Sequence, residues 1–385
     1  MPNVDDVEAL DAAWSRGPLA VVLPSRGSPH VEWANQAAAS VPDSAGERFA
    51  LLTSGSTGRP KLVVGSRRRS EALTEELHRR QLLDDVEQTI LTLPVTYSYA
   101  LVNQWLWARH HGRRMVVTEG FADPATLLDA LDSASDAMVC LVGSQVPLLA
   151  RLAGDRSFPG VIRVNFAGGR FPQEHLDALT SRFPNALVFN NYGCAEALPR
   201  LTVRPAADAQ DPAVIGSPID GVELRSTDGA LEFRSRFGAE GLVDDEGWRE
   251  VDRDDWLPTG DLGSQRPDGR WVLAGRKGDV FKRHGEKVST GDLLATTLGA
   301  WSGQALVAQE IDAHGETGAV IVLAPTPADA EVKAVLRAFR ANHPRPHWPL
   351  RIESVERFEE LATGKLDVQA WRDDPTKVVH WWQRL

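Results

Sequence analysis

Short apolar runs separated by helix-length stretches dominate the chain from about residue 49 onward. The runs 49–53 (FALLT) and 62–64 (LVV) predict two strands around a Gly/Ser/Thr segment. Ser70 predicts a helix N-cap, because its hydroxyl can accept from an early, otherwise unpaired amide. The helix after it places Leu73, Leu77 and Leu82 at buried positions. Further strands are predicted at 89–93, 114–118, 137–142, 161–166 and 186–189, with helices near 99–111, 124–132, 144–153 and 172–182. Hydrophobicity in these runs is continuous rather than alternating, which suits strands covered on both faces. Helix-length spacers between them imply right-handed crossovers and a mostly parallel sheet.

After Pro212 the pattern turns to short strands with Gly/Asp turns, as in 222–235 and 266–275. Beyond Gly275 strands at 305–310 and 318–323 precede a helix around 328–341. There Val332, Val335, Leu336 and Phe339 repeat at i, i+3, i+4 and i+7 and form one apolar stripe. The expected fold class is α/β. A large N-terminal domain over 1–275 has mostly parallel sheets flanked by helices and a β-rich part at about 212–275, and a small, mobile α+β C-terminal domain follows over 276–385.

Composition narrows the function classes. The 385 residues are 42% hydrophobic and 25% charged, a globular balance that needs neither disulfides nor metals to build a core. Cys140 and Cys194 are the only cysteines, too few for a Cys-rich zinc site and in keeping with a reducing cytoplasm. No apolar run reaches the ~20 residues of a membrane span, and the acidic start MPNVDDVEAL does not read as a secretory signal. The net charge of -11 falls wholly before Arg276, where 27 basic residues face 38 acidic ones. That excess disfavours nucleic acid, whose binding requires basic groups to neutralise phosphates. The run Arg67-Arg68-Arg69 is the one basic cluster and reads as a solvated loop or helix entrance.

The most informative segment is Thr53-Ser54-Gly55-Ser56-Thr57-Gly58-Arg59-Pro60-Lys61. Its glycines free the backbone, its hydroxyls and amides can converge on one anion, and Lys61 adds a mobile positive charge, a combination that suits a polyphosphate. It is not a Walker A loop. That motif needs Lys directly after the last glycine and a hydroxyl next, whereas Leu62 follows Lys61 here. A plain flexible turn is the alternative reading of the same residues.

The segment resembles the phosphate loop of the adenylate-forming (AMP-binding) superfamily, which includes acyl-CoA synthetases, adenylation domains of peptide synthetases and luciferases. Other segments follow in the order that family has. Residues 94–101, with Tyr97, Ser98, Tyr99 and Ala100, are similar to the stretch that shapes the acid pocket. Ala167-Gly168-Gly169-Arg170 is similar to the adenine-side loop, and Asn191-Tyr192-Gly193-Cys194-Ala195-Glu196 to the tyrosine–glutamate motif. Thr259-Gly260-Asp261 resembles the ribose-binding motif, Gly275-Arg276-Lys277-Gly278-Asp279-Val280-Phe281-Lys282 through Gly285 the interdomain hinge, and Thr363-Gly364-Lys365 the C-terminal catalytic lysine.

This resemblance implies roles. Thr53 to Gly58 and Lys61 would cradle the phosphates of ATP, Tyr192 would stack on adenine, and Asp261 would accept from both ribose hydroxyls, with Arg276 nearby. Glu196 would ligate Mg2+, a hard carboxylate for a hard ion. Lys365 would bridge the acid and the α-phosphate, where charge builds in the transition state. Gly278 would be the pivot, after which Lys282 and Gly285 present a second face to the acceptor thiol.

The implied activity is ATP-dependent conversion of a carboxylic acid to an acyl-adenylate, then transfer to coenzyme A or the phosphopantetheine of an acyl or peptidyl carrier protein. Transfer to an amine or another nucleophile, and a non-catalytic nucleotide-binding relative, are the alternatives. Residues 94–101 carry no carboxylate to hold an α-ammonium group, so an aryl or fatty acid is expected rather than a standard α-amino acid. The chain is short for the family, and the resemblance places the missing length before the phosphate loop. Cys194-Ala195 replaces a threonine-containing pair, and Ala100 stands where close relatives carry glycine. The sequence sets no oligomeric state.

Overall fold

The structure, a computed structural model, describes residues 3–4, 7–16, 19–22, 31–42, 47–54, 60–143, 145–168, 171, 173, 176–359 and 366–382. The chain divides into two compact units. One comprises Met1–Thr259 and Gly263–Ala274, the other Gly260–Leu262 and Gly275–Leu385.

The first unit contains the predicted parallel sheet. Its strands run in the order Thr202–Pro205, Leu187–Tyr192, Val161–Phe166, Ala137–Leu141, Gln88–Ile90, Arg114–Val116. All neighbours are parallel except the first pair. Ala137–Leu141 is buried at every position, which is why its sequence shows no alternation. A second six-stranded sheet departs from the mostly parallel expectation. In it Leu19–Val22 and Arg48–Ser54 run parallel, but Arg48–Ser54 and Pro60–Ser66 form an antiparallel pair whose register ends at Ser54 opposite Pro60. Gly241–Asp244, from the β-rich region, adds to the other edge of Pro60–Ser66. A five-stranded sheet holds the rest of that region, in the order Val214–Gly216, Trp271–Arg276, Leu257–Gln265, Ala230–Ser235, Val222–Thr227.

Helices before residue 49, Val7–Arg16 and Val31–Ala39, lie outside the sequence expectation. Trp14 from the first of them packs against Phe49 at a centroid distance of 5.0 Å, so this segment closes one side of the core. Two local expectations need correction. The helix Arg67–Arg80 is capped by Ser66, whose hydroxyl accepts from Arg69 N at 3.4 Å, while Ser70 lies fully buried inside the helix. Leu82 has left the helix, with φ 55° and 53% exposure, and Leu83 is the buried residue. Nor is Arg67 solvated. It is buried, donates to the Trp14 carbonyl at 2.7 Å and lies over the Trp14 ring, so the basic run is a helix entrance with one arm in the core.

The second unit is a four-stranded sheet in the order Gln304–Ile311, Thr317–Ala324, Arg351–Ser354, Val378–Trp382, beside a two-stranded ribbon, Val280–Arg283 with Glu286–Ser289. Thr317–Ala324 is buried on both faces. Ile321 and Leu323 meet Val335 and Phe339 of the helix Asp329–Asn342, and Val320 and Val322 meet Phe358 and Trp371. The apolar stripe read from the sequence is the face of that helix that is buried.

Strand Leu187–Tyr192 delivers the next residues into a tight corner. A Cβ at Gly193 would stand 1.8 Å from the Pro199 carbonyl oxygen, which is backbone and cannot swing away. Gly193→Ala is therefore expected to destabilise the first unit by about 1–3 kcal/mol through forced backbone shifts. Urea unfolding checks this against Gly278→Ala, where a Cβ would meet nothing within 4 Å and the change should stay within ~0.5 kcal/mol.

Candidate active site

Two strand ends build the centre of the site in the first unit. Lys61 is the second residue of Pro60–Ser66, and Glu196 lies in the turn just past Leu187–Tyr192. These belong to different sheets and are 135 positions apart in sequence, yet the Lys61 ammonium and the Glu196 carboxylate form an ion pair. Both side chains are partly exposed, at 25% and 17%, so each can exchange its partner for a ligand. An ammonium and a carboxylate paired side by side and partly exposed suit a bound phosphate and its counter-ion. A single carboxylate also matches Mg2+, which takes one or two protein carboxylates and completes its shell from phosphate and water.

Thr53 pairs with Lys61 across the hairpin, its hydroxyl donating to the Lys61 carbonyl at 3.5 Å. Ser54 ends its strand opposite Pro60. Gly55, Ser56, Thr57 and Gly58 lie outside the described residues, as do Gly169, Arg170 and Lys365.

Tyr192 closes its strand, 9% exposed within the main core. Asn191 beside it is differently engaged from a ligand-facing amide. Its oxygen accepts from Gln81 Nε2 at 2.9 Å and its nitrogen donates to Asn165 Oδ1 at 3.1 Å, so its side chain ties sheet to helix within the core. Ala167 follows the neighbouring strand Val161–Phe166 and is buried, and Gly168 after it is exposed with φ 82°.

The acid-pocket segment forms a helix of unusual shape. Ser98–Ala100 begins it, Leu101–Leu106 widens into a π-helical stretch, and Trp107–His110 returns to α. Such widened turns re-aim side chains and occur often at functional sites. Tyr97 and Ser98 are half-buried; Tyr99 and Ala100 are buried. Tyr99 packs with Cys140 and Ala167 in one small cluster. Burial pushes the Tyr99 phenol well above its usual range and the Cys140 thiol up to about 12, so both stay neutral and Cys140 is not a nucleophile. Cys194 is a half-buried thiol that forms no disulfide.

In the second unit Asp261 sits at a buried position of Leu257–Gln265, one strand period after Thr259, and accepts from Arg276 Nε at 3.0 Å. The Arg276 side chain is 53% exposed and the Asp261 side chain 11%. The motif pair Asp261 and Arg276 is thus brought together, 15 positions apart. Lys282 is exposed on the ribbon, opposite Lys287 in register. Gly278 is exposed, and its carbonyl accepts from Gln309 Nε2 at 2.7 Å. Its φ is not in the left-handed region, whereas Gly275 has φ 123°. Sequence reasoning missed Arg200, fully buried over the Tyr99 ring at 5.3 Å. A lone arginine after a proline carries no local signal of burial. Among the described residues no helix is long and apolar enough to cross a membrane.

The profile of the AMP-binding enzyme family matches residues 7–241. A 4-coumarate–CoA ligase of Oryza sativa subsp. japonica is 26% identical over 359 residues, covering 84% of this chain and 65% of its own length. A 3-hydroxybenzoate–CoA ligase of Aromatoleum sp. (strain CIB) is 23% identical, covering 83% of this chain and 64% of its own. The chain thus spans a little under two thirds of the length of these relatives. The crystal structure of an anthranilate CoA ligase in complex with anthranoyl-AMP superposes with a TM-score of 0.74 at 16% identity, over 94% of this chain and 79% of that one, which shows that the two share a fold. The chain belongs to the AMP-binding enzyme family.

Proposed function

We propose that this chain activates a carboxylic acid with ATP, releasing pyrophosphate and forming an acyl-adenylate, and passes the acyl group to the thiol of coenzyme A or of a carrier-protein phosphopantetheine. The observation that carries the reading is the Lys61–Glu196 pair, two opposite charges held at the ends of strands from two sheets and open to exchange. Residues 1–275 would bind ATP and the acid, and residues 276–385 would carry Lys365. Cys140 and Cys194, neither in a disulfide, fit a reducing cytoplasm.

In the first step a carboxylate oxygen of the acid attacks the α-phosphorus in line. The new O–P bond replaces the bond to pyrophosphate, which leaves. Such transfers depend on positioning and charge neutralisation more than on protein nucleophiles. Lys61 would hold the β- and γ-phosphates, and Lys365 the oxygens whose charge grows at the α-phosphorus. Mg2+, when bound through Glu196, would neutralise phosphate charge. Asp261 offers two carboxylate oxygens, one already receiving Arg276 Nε, and the ribose hydroxyls would donate to that pair. In the second step the acceptor thiolate attacks the acyl carbonyl and AMP leaves with the electron pair.

Acid-dependent pyrophosphate exchange tests the reading. Neither exchange nor AMP from a panel of aryl and fatty acids with ATP would overturn it. Given exchange, Lys365→Ala should lower its rate by about 100-fold or more, as expected for a fixed charge acting in the transition state, while ATP binding by calorimetry persists. Asp261→Asn should weaken AMP binding roughly 10- to 100-fold, the magnitude of one charge-assisted hydrogen bond, with unchanged unfolding. For the pivot, Gly275→Ala is expected to perturb thiol transfer more than Gly278→Ala, since φ 123° strains any L side chain. Single-turnover transfer from pre-formed adenylate reads this directly.

A further inference from the structure

The helix Arg67–Arg80 is tied to Trp107–His110, the last turn of the helix that begins with the acid-pocket residues, and His78, His110 and His111 gather where the two meet. His78 is fully engaged. The Trp107 indole, which can only donate, gives its hydrogen to His78 Nδ1 at 3.2 Å, and His78 Nε2 stands 3.1 Å from Asp84 Oδ1. That fixes His78 as a neutral ring with its hydrogen on Nε2, and leaves neither nitrogen over. Trp107 is 1% exposed, so its bond anchors one helix firmly to the other.

The groups above His78 are not engaged in that way. His111 stacks on His78 with centroids 4.2 Å and planes 17° apart, and His110 stands edge-on to His111 at 5.1 Å and 85°. His110 Nε2 faces Glu75 Oε1 at 2.7 Å. His111 Nε2 is buried and has no hydrogen-bond partner, a condition few buried polar atoms are left in. One carboxylate oxygen of Glu75 and one ring nitrogen from each of His110 and His111 lie within 4.8 Å of one another. No other three His, Cys, Asp or Glu side chains converge like this among the described residues. The place is open to solvent, since the Glu75 side chain is 61% exposed and that of His110 31%.

As a plain surface ion pair, Glu75 and His110 would contribute little. Two imidazoles and one carboxylate are instead the donor set of zinc and its first-row neighbours, whereas Mg2+ takes oxygen ligands. Tetrahedral zinc with bonds of ~2.0–2.1 Å keeps its ligand atoms roughly 3.3 Å apart. The Glu75–His110 contact must therefore part a little and the wider distances close, which torsions of two exposed side chains supply. The stack on His78 holds the third ring in place beforehand, so little freedom is lost on binding. We infer that Glu75, His110 and His111 bind a divalent transition-metal ion of the zinc type, with water completing the shell. The ion joins helix Arg67–Arg80 to the far end of the helix that starts at Ser98, and so braces from outside the element that carries Tyr99 and Ala100. The site uses none of the residues assigned to adenylation and stands or falls apart from that reading.

The experiment titrates the full chain, without a purification tag and stripped by a chelator, with Zn2+ by calorimetry and with Co2+ by visible absorption. Excess Mg2+ is present throughout to occupy sites made of oxygen ligands. One equivalent of Zn2+ should bind saturably, and Co2+ should show the visible bands of a four- or five-coordinate ion with nitrogen ligands. His110→Ala, Glu75→Gln and His111→Phe, the last of which keeps the ring stack without a nitrogen, should each weaken binding at least about 10-fold, the least that loss of even an outer-shell partner costs. His314→Ala, at an exposed turn in the second unit, should leave binding unchanged. Zn2+ should raise the melting temperature of the wild type but not of His110→Ala. The absence of saturable one-site binding overturns the inference, as does unchanged affinity in any one of the three ligand variants. An equal loss in His314→Ala also overturns it, because that marks chelation by scattered surface histidines. His110→Ala and Glu75→Gln alter only exposed side chains, and unfolding without metal checks that both remain folded, so these two decide even if His111→Phe does not fold.

Discussion

The close approach of two sheets at Gly65 governs what the first unit can do. Gly65 lies in the strand that begins Pro60-Lys61, and a Cβ there would stand 2.2 Å from Leu198 Cδ1 and 3.1 Å from the Phe49 ring. Leu198 is two residues past Glu196, fully buried, with φ 52°. The absent side chain at 65 thus lets the turn carrying Glu196 settle onto the strand carrying Lys61. The same core, with Phe49, Val63, Leu198, Phe237 and Tyr192, holds the turn there. The ion pair is a consequence of apolar packing rather than its cause. A partly exposed pair contributes little to stability, so it can open to a ligand at small energetic penalty.

A second tension lies in the buried cluster of Tyr99, Asn103 and Arg200. Arg67, Arg204 and Arg283 each make bonds to carbonyls yet keep one buried N–H without an acceptor, and Arg200 keeps its Nε in the same condition. Its orientation is fixed by the bond to Asn103 Oδ1 and by the Tyr99 face. A buried guanidinium held by one bond and one ring contributes less than its burial demands, so the surrounding apolar packing carries the stability of this wall.

How legible this was depended on whether the signal was local. The strand Val161–Phe166 was read to the residue, since Val161, Ile162, Val164 and Phe166 keep the run apolar on both faces despite Arg163 and Asn165 within it. The helix Asp329–Asn342 was read within a residue at each end, because its stripe is a property of one element. Ser66 and Ser70 both precede a helical pattern, and only tertiary contact, the burial of Arg67 on Trp14, shows that the helix starts at the first. Leu82 and Leu83 differ by one position across a helix end, where periodicity stops informing. The phosphate-loop lysine and the glutamate were each visible as motif members, yet their meeting across two sheets was not a property of either segment. Arg200 and the widened helix at Leu101–Leu106 left no trace at all. One is an isolated residue in a turn, and the other changes the number of residues per turn without changing their hydrophobicity.

The boundaries of the two units fall at glycines, for reasons of backbone geometry. The chain passes from one unit to the other at 259/260, 262/263 and 274/275, and glycine stands on the far side of each crossing, at Gly260, Gly263 and Gly275. Gly260 and Gly275 have φ 80° and 123°, values that L side chains rarely adopt. Gly263 has no room for a side chain, since a Cβ would lie 2.3 Å from the Val272 carbonyl oxygen. Gly278 has neither constraint. A positive φ at Gly260 and Gly275 and the close carbonyl at Gly263 each exclude a side chain for a separate backbone reason. Gly275 and Gly278 both fall in the segment that resembles the family hinge, and of the two only Gly275 has a backbone that requires glycine.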